Sequence, residues 1–383
     1  LSQDTHGEPG LATILREWGR IGCIGFGGPP THIRLLRELC VERRRWIDAT
    51  EFEDAIAACN LLPGPASTQL SIFCAWRLRG RAGALVGGLA FICPGLVLIL
   101  ILSAVFLAGA PPRSILAAAA GAGAAVAAVA VHAGVGLTPA SWARRRSRAR
   151  WIGFVLAGGT AAATVGPWLV VVLIGCGLIE LAIERPYRTA VLPVHLAAKS
   201  TIAAGGLLSL AWVALKVGAL SYGGGFVIIP LMQADAVHRY HWMTGAQFLN
   251  AVALGQVTPG PVVQTVAAVG YAAGGVAGGL LAAVVAFSPS FVFILAGAGR
   301  FDRLRGDRRA RAFLDGAGPA AIGAIFGSAI PLARSLTEAW QFAVLAAAAL
   351  ALLALKRGVV LTLVAAALAG VLLVGLGLPL AGH

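Results

Sequence analysis

The chain has 383 residues, 58% of them hydrophobic and only 12% charged, with a mean hydropathy of +0.84. That balance excludes a soluble globular domain. A net charge of +14 would suit nucleic acid, but the arginines sit in short loops between apolar runs, the pattern of cytoplasmic loops beside a lipid bilayer, so no nucleic-acid partner is expected.

In chain order, the polar start Leu1–Pro9 reads as no signal peptide, because Arg16, Glu17 and Arg20 interrupt the first apolar stretch. A span is predicted near Leu11–Gly28, followed by an amphipathic segment, Thr31–Trp46. Two short helices, Glu51–Leu62 and Ala66–Trp76, meet at Pro63-Gly64-Pro65. Each extends about 18 Å at 1.5 Å per residue, short of about 30 Å of hydrocarbon. Proline lacks the N–H that would carry a helix through the joint, so the pair is read as a re-entrant hairpin. Spans near Ala82–Ala108, Ser114–Val135, Trp151–Val165 and Trp168–Ile183 follow. After the connection Arg185–Lys199 the order recurs: Thr201–Gly224, then Phe226–Trp242, then short helices Ala246–Val257 and Val262–Ala273 around Pro259-Gly260-Pro261. The last spans lie near Val276–Gly299, Phe313–Ala333, Trp340–Leu355 and Val359–Leu378.

The recurrence is literal. Gly22, Gly27, Gly28, Arg43, Trp46, Phe52, Pro63, Gly64, Pro65, Gly83 and Phe91 each return 196 positions on, and Gly121-Ala122-Gly123 returns at 195 as Gly316-Ala317-Gly318. Two modules are expected, residues 1–190 and 191–383, each with five full crossings plus the hairpin. An odd number of crossings inserts the copies in opposite senses, and the charge agrees with this. Positions 29–50 carry five arginines and their equivalents 225–246 carry one, whereas the loop at Arg113 is answered by Arg300, Arg303, Arg305, Arg308, Arg309 and Arg311. The expected fold is an all-α polytopic membrane protein of two inverted-topology repeats. Both termini lie outside the cytoplasm and the Arg185–Lys199 connection lies inside. The Arg300–Arg311 run reads as a cytoplasmic anchor on anionic lipid.

At these motifs the chain resembles the chromate ion transporter superfamily. The first-half match is Phe26-Gly27-Gly28-Pro29 with His32, then Trp46, Phe52 and Leu62-Pro63-Gly64-Pro65. The second-half match is Tyr222-Gly223-Gly224-Gly225 with Ile229-Pro230, and Leu254-Gly255-Gln256-Val257-Thr258-Pro259-Gly260-Pro261. The second motif opens with Ser-Tyr before its glycines where a Phe is expected. The resemblance spans nearly the whole chain and implies a bacterial inner-membrane carrier that exports chromate or a related oxyanion such as sulfate.

A tetrahedral dianion has no hydrogen-bond donors, so its site needs positive potential and converging N–H and O–H groups. Helix N-termini supply both. The candidate residues are therefore Ser67, Thr68 and Gln69 after the first break, and Thr258, Gln264 and Thr265 around the second. Gly27, Gly28, Gly223, Gly224 and Gly225 add backbone free of Cβ, and Asn60 and Gln256, aligned with each other, add side-chain amides. Arg20 and Lys216 align at 196 and are read as counter-charges of the oxyanion, because a cation at depth costs on the order of 3 kcal/mol or more unless paired and such residues tend to be functional. The bland alternatives are that Lys216 snorkels and that Arg20 pairs with Glu17 or Glu51. For proton coupling the candidates are His32, which reads equally as a surface histidine, and Glu51, for which a helix N-terminal acid is the favoured reading.

The six cysteines form no CxxC and are read as packing residues, with no metal or cofactor expected. The function expected is secondary transport by alternating access around a midplane pocket. Uptake or exchange of sulfate is the rival within transport, and an intramembrane enzyme acting on lipid phosphates is the rival outside it. The absence of HExxH or an Asp-rich motif speaks against an enzyme. The partners expected are the oxyanion and the bilayer, with a homodimer left open.

Overall fold

The computed structural model of the protein describes residues 9–60, 62–107, 111–164, 169–183, 206–221, 228–297 and 307–380, and all regular structure among them is helical. The first half runs α1 (Leu11–Ile24), α2 (Pro29–Arg37) continuing into a π turn (Glu38–Arg43), α3 (Ala49–Cys59), α4 (Ala66–Phe106), α5 (Arg113–Ala143), α6 (Arg148–Thr164) and α7 (Leu169–Ile183). The second half runs α8 (Leu207–Leu220), α9 (Ile228–Gln233) continuing into a π turn (Ala234–Arg239), α10 (Gly245–Val257), a 3-10 turn (Val262–Gln264), α11 (Thr265–Gly297), α12 (Arg308–Arg334), α13 (Ala339–Ala349) and α14 (Val359–Gly375).

Local sequence accounts for the joints. α1 ends at Ile24 because Gly25 follows and Gly27 and Gly28 take φ of 96° and 77°, and Pro29 and Pro30 then open α2. α3 starts at Asp48, whose carboxylate accepts from Thr50 N at 2.8 Å, and α10 starts at a Thr244–Gln247 capping box.

α4, α5, α11 and α12 are long and apolar enough to cross a membrane by length and composition. Two of them fold back on themselves. α4 reverses at Arg79–Gly80 and α11 at Gly274–Gly275, where Gly80 (φ 57°, ψ −146°) and Gly275 (φ 61°, ψ −153°) adopt the same left-handed conformation. Residues 66–78 and 265–273 are therefore the second arms of the two hairpins. Each arm packs antiparallel on the span that follows it. A Cβ on Gly83 would lie 2.2 Å from the Ala75 carbonyl oxygen, and one on Gly278 2.3 Å from that of Gly270.

These geometries correct the linear repeat. From the arms onward the halves match at 195, so Gly83 pairs with Gly278 rather than Gly279. Phe91 pairs with Ala286 rather than Phe287, since Gly22 packs on the Phe91 carbonyl and Gly218 on that of Ala286. The residue is lost just after the second Pro-Gly-Pro, where a 3-10 turn winds tighter than the α-helical start of the first copy. Helix lengths also depart from expectation. α1 and α8 have 14 residues each, about 21 Å, and stop as half-helices where full spans were expected. α14, at 17 residues, is likewise shorter than its expected span, whereas α6 and α7 lie close to where their spans were expected.

The helices sort into two bundles that ignore the boundary between halves. In one, α4 and α11 cross at the centre, flanked by α1 and α8. In the other, α5 and α12 are central; α5 packs on α13 and α14 of the second half, and α12 packs on α6 and α7 of the first. Small residues bring the backbones of this second bundle into contact. A Cβ on Gly158 would lie 1.8 Å from the Ala320 oxygen, one on Gly121 2.2 Å from that of Ala366, and one on Gly316 2.2 Å from that of Cys176. Leu156, Leu178, Leu361, Leu368 and Leu372 are exposed on its outer helices, as lipid contact requires.

Candidate functional site

The two Pro-Gly-Pro breaks lie inside the first bundle, and each rests on helices of the other half. Gly260 N–H donates to the Gly25 carbonyl at 2.9 Å, and a Cβ on Gly28 would touch Val262 at 3.8 Å, so the first glycine motif serves the second break. In turn, a Cβ on Gly64 would lie 3.4 Å from the Gly218 carbonyl of α8 and 3.4 Å from Ser290 Oγ of α11. Gly95 of α4 meets the second break so closely that a Cβ there would sit 2.0 Å from the Pro259 oxygen. Gly95 and Ser290 are equivalent at 195 and follow the aligned prolines Pro94 and Pro289 inside apolar helices, a signal that the sequence carries.

The glutamines expected to meet an anion first stabilise the breaks. Gln69 Nε2 donates to the Pro63 carbonyl at 2.8 Å, and Gln264 Nε2 donates to the Ile92 carbonyl of α4 at 2.8 Å. The break leaves the Pro63 carbonyl without an amide partner and Gln69 supplies one, while Gln264 ties the second break to the backbone of α4. One amide N–H of each glutamine is thereby committed. The hydroxyls of Thr258 and Thr265 are committed in the same way, to Leu254 O at 3.0 Å and Val262 O at 2.8 Å. Thr68 Oγ1, Ser290 Oγ and Gln256 Nε2 are buried without a protein partner among the described residues, so the donors available at the breaks are these groups and the N–H groups of Ala66 and Ser67 that open the arm, those of Thr68 and Gln69 being given to the Pro65 carbonyl.

His32 is buried and structural. Nε2 lies 2.8 Å from the Gly25 carbonyl, which can only accept, so Nε2 carries the proton and Nδ1 accepts from Ser67 Oγ at 3.2 Å. Burial pushes its pKa down to about 4, the Gly25 bond opposing, so the ring is neutral at physiological pH. The surface reading of His32 is corrected accordingly: the ring locks α2, the end of α1 and the first turn after the first break together. Glu51 is a rim residue that pairs with Arg77 across the open end of the hairpin. Phe26 is half-exposed beside its glycines, and Asn60 is exposed at the end of α3. Tyr222, Gly223, Gly224, Gly225 and the Arg185–Lys199 connection lie outside the described residues.

The two aligned cations differ in their surroundings. Lys216 donates to Asp235, a carboxylate 1% exposed in the π turn after α9, and its charge is offset there. Arg20 is exposed on α1, and Glu17 pairs instead with Arg44 at 3.4 Å and Arg16 at 3.5 Å. Leu39 stands where a counterpart of Asp235 would be, so the pairing breaks the repeat and alignment alone does not reveal it.

A cavity of about 810 Å³ separates the two bundles. Its floor is Asn60, Leu62, Gly64 and Ala66 at the first break, its far wall is Leu137, Ser141, Leu314, Gly318 and Ile322 of α5 and α12, and Arg144, Arg146, Arg311 and Asp315 also line it. Neither Arg20 nor Lys216 lines it. Beside α10 in the second half the corresponding groove is about 220 Å³, is lined by apolar residues apart from Asn250, and reaches only to Val257.

A bundle of apolar helices with paired interior breaks defines a multi-pass membrane protein. Residues 12–181 and 208–371 match the chromate transporter family model, and the chain belongs to that family. It is 31% identical over 353 residues to a chromate transport protein of Pseudomonas aeruginosa, covering 85% of this chain and 82% of that one. It is 29% identical over 356 residues to a chromate transport protein of Cupriavidus metallidurans, covering 90% and 88%. A probable chromate transport protein of Synechococcus elongatus is 27% identical, with 86% of each chain covered. No solved structure matches the chain.

Proposed function

We propose that the protein exports chromate across the bacterial inner membrane, conferring chromate resistance, by alternating access at the crossed Pro-Gly-Pro breaks. One observation carries this reading: the cavity between the bundles reaches the first break, while the matching groove beside α10 stops short of the second. A conformation open on one side of a central pair of broken helices is one end of an alternating-access cycle. Rocking of the α5/α12 bundle against the break-bearing bundle would open the other end. The guest oxyanion is met by the N-terminus of the arm at Ala66, the hydroxyls of Thr68 and Ser290, and the Gln256 amide. With the cytoplasm negative, expelling a dianion gains about 4.6 kcal/mol per 100 mV.

The reading includes inverted repeats, with both termini extracytoplasmic and the basic loops inside. The membrane test uses cysteines at the exposed, equivalent positions Ala82 and Ala277 in a background lacking the six native cysteines. Labelling from opposite faces is expected, and labelling from one face removes the inversion. The transport test is uptake of radiolabelled chromate into everted vesicles, which export predicts. Accumulation in right-side-out vesicles, or movement of sulfate alone, would replace export by oxyanion uptake.

A further inference from the structure

Resting on that transport reading, we propose that Arg144, Arg146 and Arg311 form an outer oxyanion site in the cavity, and that Asp315 keeps this site weak so that the ion moves on to the first break. The Arg300–Arg311 run was expected to act as a cytoplasmic anchor on anionic lipid. The structure instead places the guanidinium groups of Arg144, Arg146 and Arg311 on one cavity, 167 residues apart in sequence at the extremes, with the Pro-Gly-Pro floor as another part of the same lining.

The cavity volume decides what kind of site this is. At about 30 Å³ per water, 810 Å³ has room for many waters beside a single small anion, so it is a vestibule and not a fitted pocket. Such a space, walled by low-dielectric helices and lined by more positive than negative side chains, focuses the field and concentrates counter-ions. Of the lining charges, the three arginines oppose Glu53 and Asp315, and Glu53 is already offset by Arg37 outside the cavity. Along the lining, three positive side chains stand against two negative ones.

Asp315 gives the site its particular character. Its Oδ2 lies 3.4 Å from Arg146 Nε, with the carboxylate mostly buried in the wall of α12. A guanidinium presents five donors in a planar fork that binds carboxylate and oxyanion alike. An arriving oxyanion therefore competes with a built-in carboxylate for Arg146, while Arg144 and Arg311 supply further attraction. A strong outer site would trap the ion, and a carboxylate held against one of the three arginines limits residence. The matching groove beside α10 repeats none of this: on α5, which lines it, Leu116 and Ala120 stand at the positions equivalent to Arg311 and Asp315.

The test is chromate flux by the full-length protein in vesicles of purely zwitterionic lipid, with the arginine-rich face toward the labelled ion. Arg144→Gln and Arg311→Gln are each expected to raise the KM about three- to tenfold with a smaller change in maximal rate. That difference should shrink as salt is raised to about 0.5 M, where the screening length is only a few ångström. Arg144→Lys should recover most of the affinity. Asp315→Asn is expected to act oppositely, lowering both the KM and the maximal rate because the ion lingers on Arg146. The proposal is overturned if the arginine variants keep the wild-type KM, if their defect appears only with anionic lipid present, or if they lose maximal rate alone. Failure of the wild-type protein to move chromate would instead strike the transport reading.

Discussion

Gly95→Ala adds one methyl group at the point where α4 meets the second Pro-Gly-Pro. The new Cβ would stand 2.0 Å from the Pro259 carbonyl oxygen and 2.3 Å from Gln264 Oε1, where contacts under 3.0 Å are essentially never found, so the break must retreat by about 1 Å. Overpacking of this kind costs about 1–3 kcal/mol. Alanine in place of a helical glycine returns up to about 1 kcal/mol, leaving a net loss of about 0–2 kcal/mol, which a folded membrane protein survives. Function is affected more severely, because a displacement of about 1 Å at a positioned site can lower a rate about 100-fold. The displaced Gln264 also carries the hydrogen bond to Ile92 that ties the second break to α4. The assay is the initial rate of chromate uptake into everted vesicles, beside thermal unfolding in detergent. Gly175→Ala serves as the control, because a Cβ on Gly175 meets nothing within 4 Å, and it should leave both measurements unharmed. A Gly95→Ala protein with wild-type KM and rate would refute the placement of the working centre at this crossing.

Asp235→Ala strands the Lys216 ammonium in a largely buried setting and should cost about 3–5 kcal/mol, much of it recovered in the double variant Lys216→Met/Asp235→Leu, as read by thermal unfolding. His32 is held at a pKa of about 4 against 6.5 unfolded, so the unfolded chain binds the extra proton. The neutral ring's contribution is complete above pH 6.5 and falls by up to about 3 kcal/mol as pH drops toward 4. Unfolding measured across that range should be steeper for the wild type than for His32→Gln. Gly158→Leu, driven into the Ala320 carbonyl of α12, should separate α6 from α12 and abolish correct assembly, seen as loss of a monodisperse peak on size-exclusion chromatography.

Much of the local structure was legible in the residues. Glycine and proline report backbone constraints directly, so the hairpins, the breaks at Pro63–Pro65 and Pro259–Pro261, and the recurrence of both followed from spacing alone. Apolar length located α4, α5, α11 and α12. Where the chain packs against itself, spacing had less to offer. Gly27-Gly28 was read as ending a full span, yet Gly25 is where α1 stops, because hydropathy does not distinguish a helix that crosses from one that halts at a buried break.

Partners distant in sequence were decided by tertiary structure. A linear repeat invites the assumption that each half builds its own site, whereas the first glycine motif supports the second half's break, α8 and α11 meet the first break, and the outer helices exchange across the boundary. Periodicity reports which face of a helix is apolar, not which helix will cover it. The offset of Lys216 by Asp235 is a similar case: alignment finds residues that repeat, and Asp235 does not repeat. The residues alone determined the apolar class of the chain, its doubling and the position of its breaks, because each depends on a chemical property carried by neighbours in sequence. The crossing of those breaks, the cavity that reaches one of them and the arginines that gather around it depend on distances between helices, and only the folded chain fixes those.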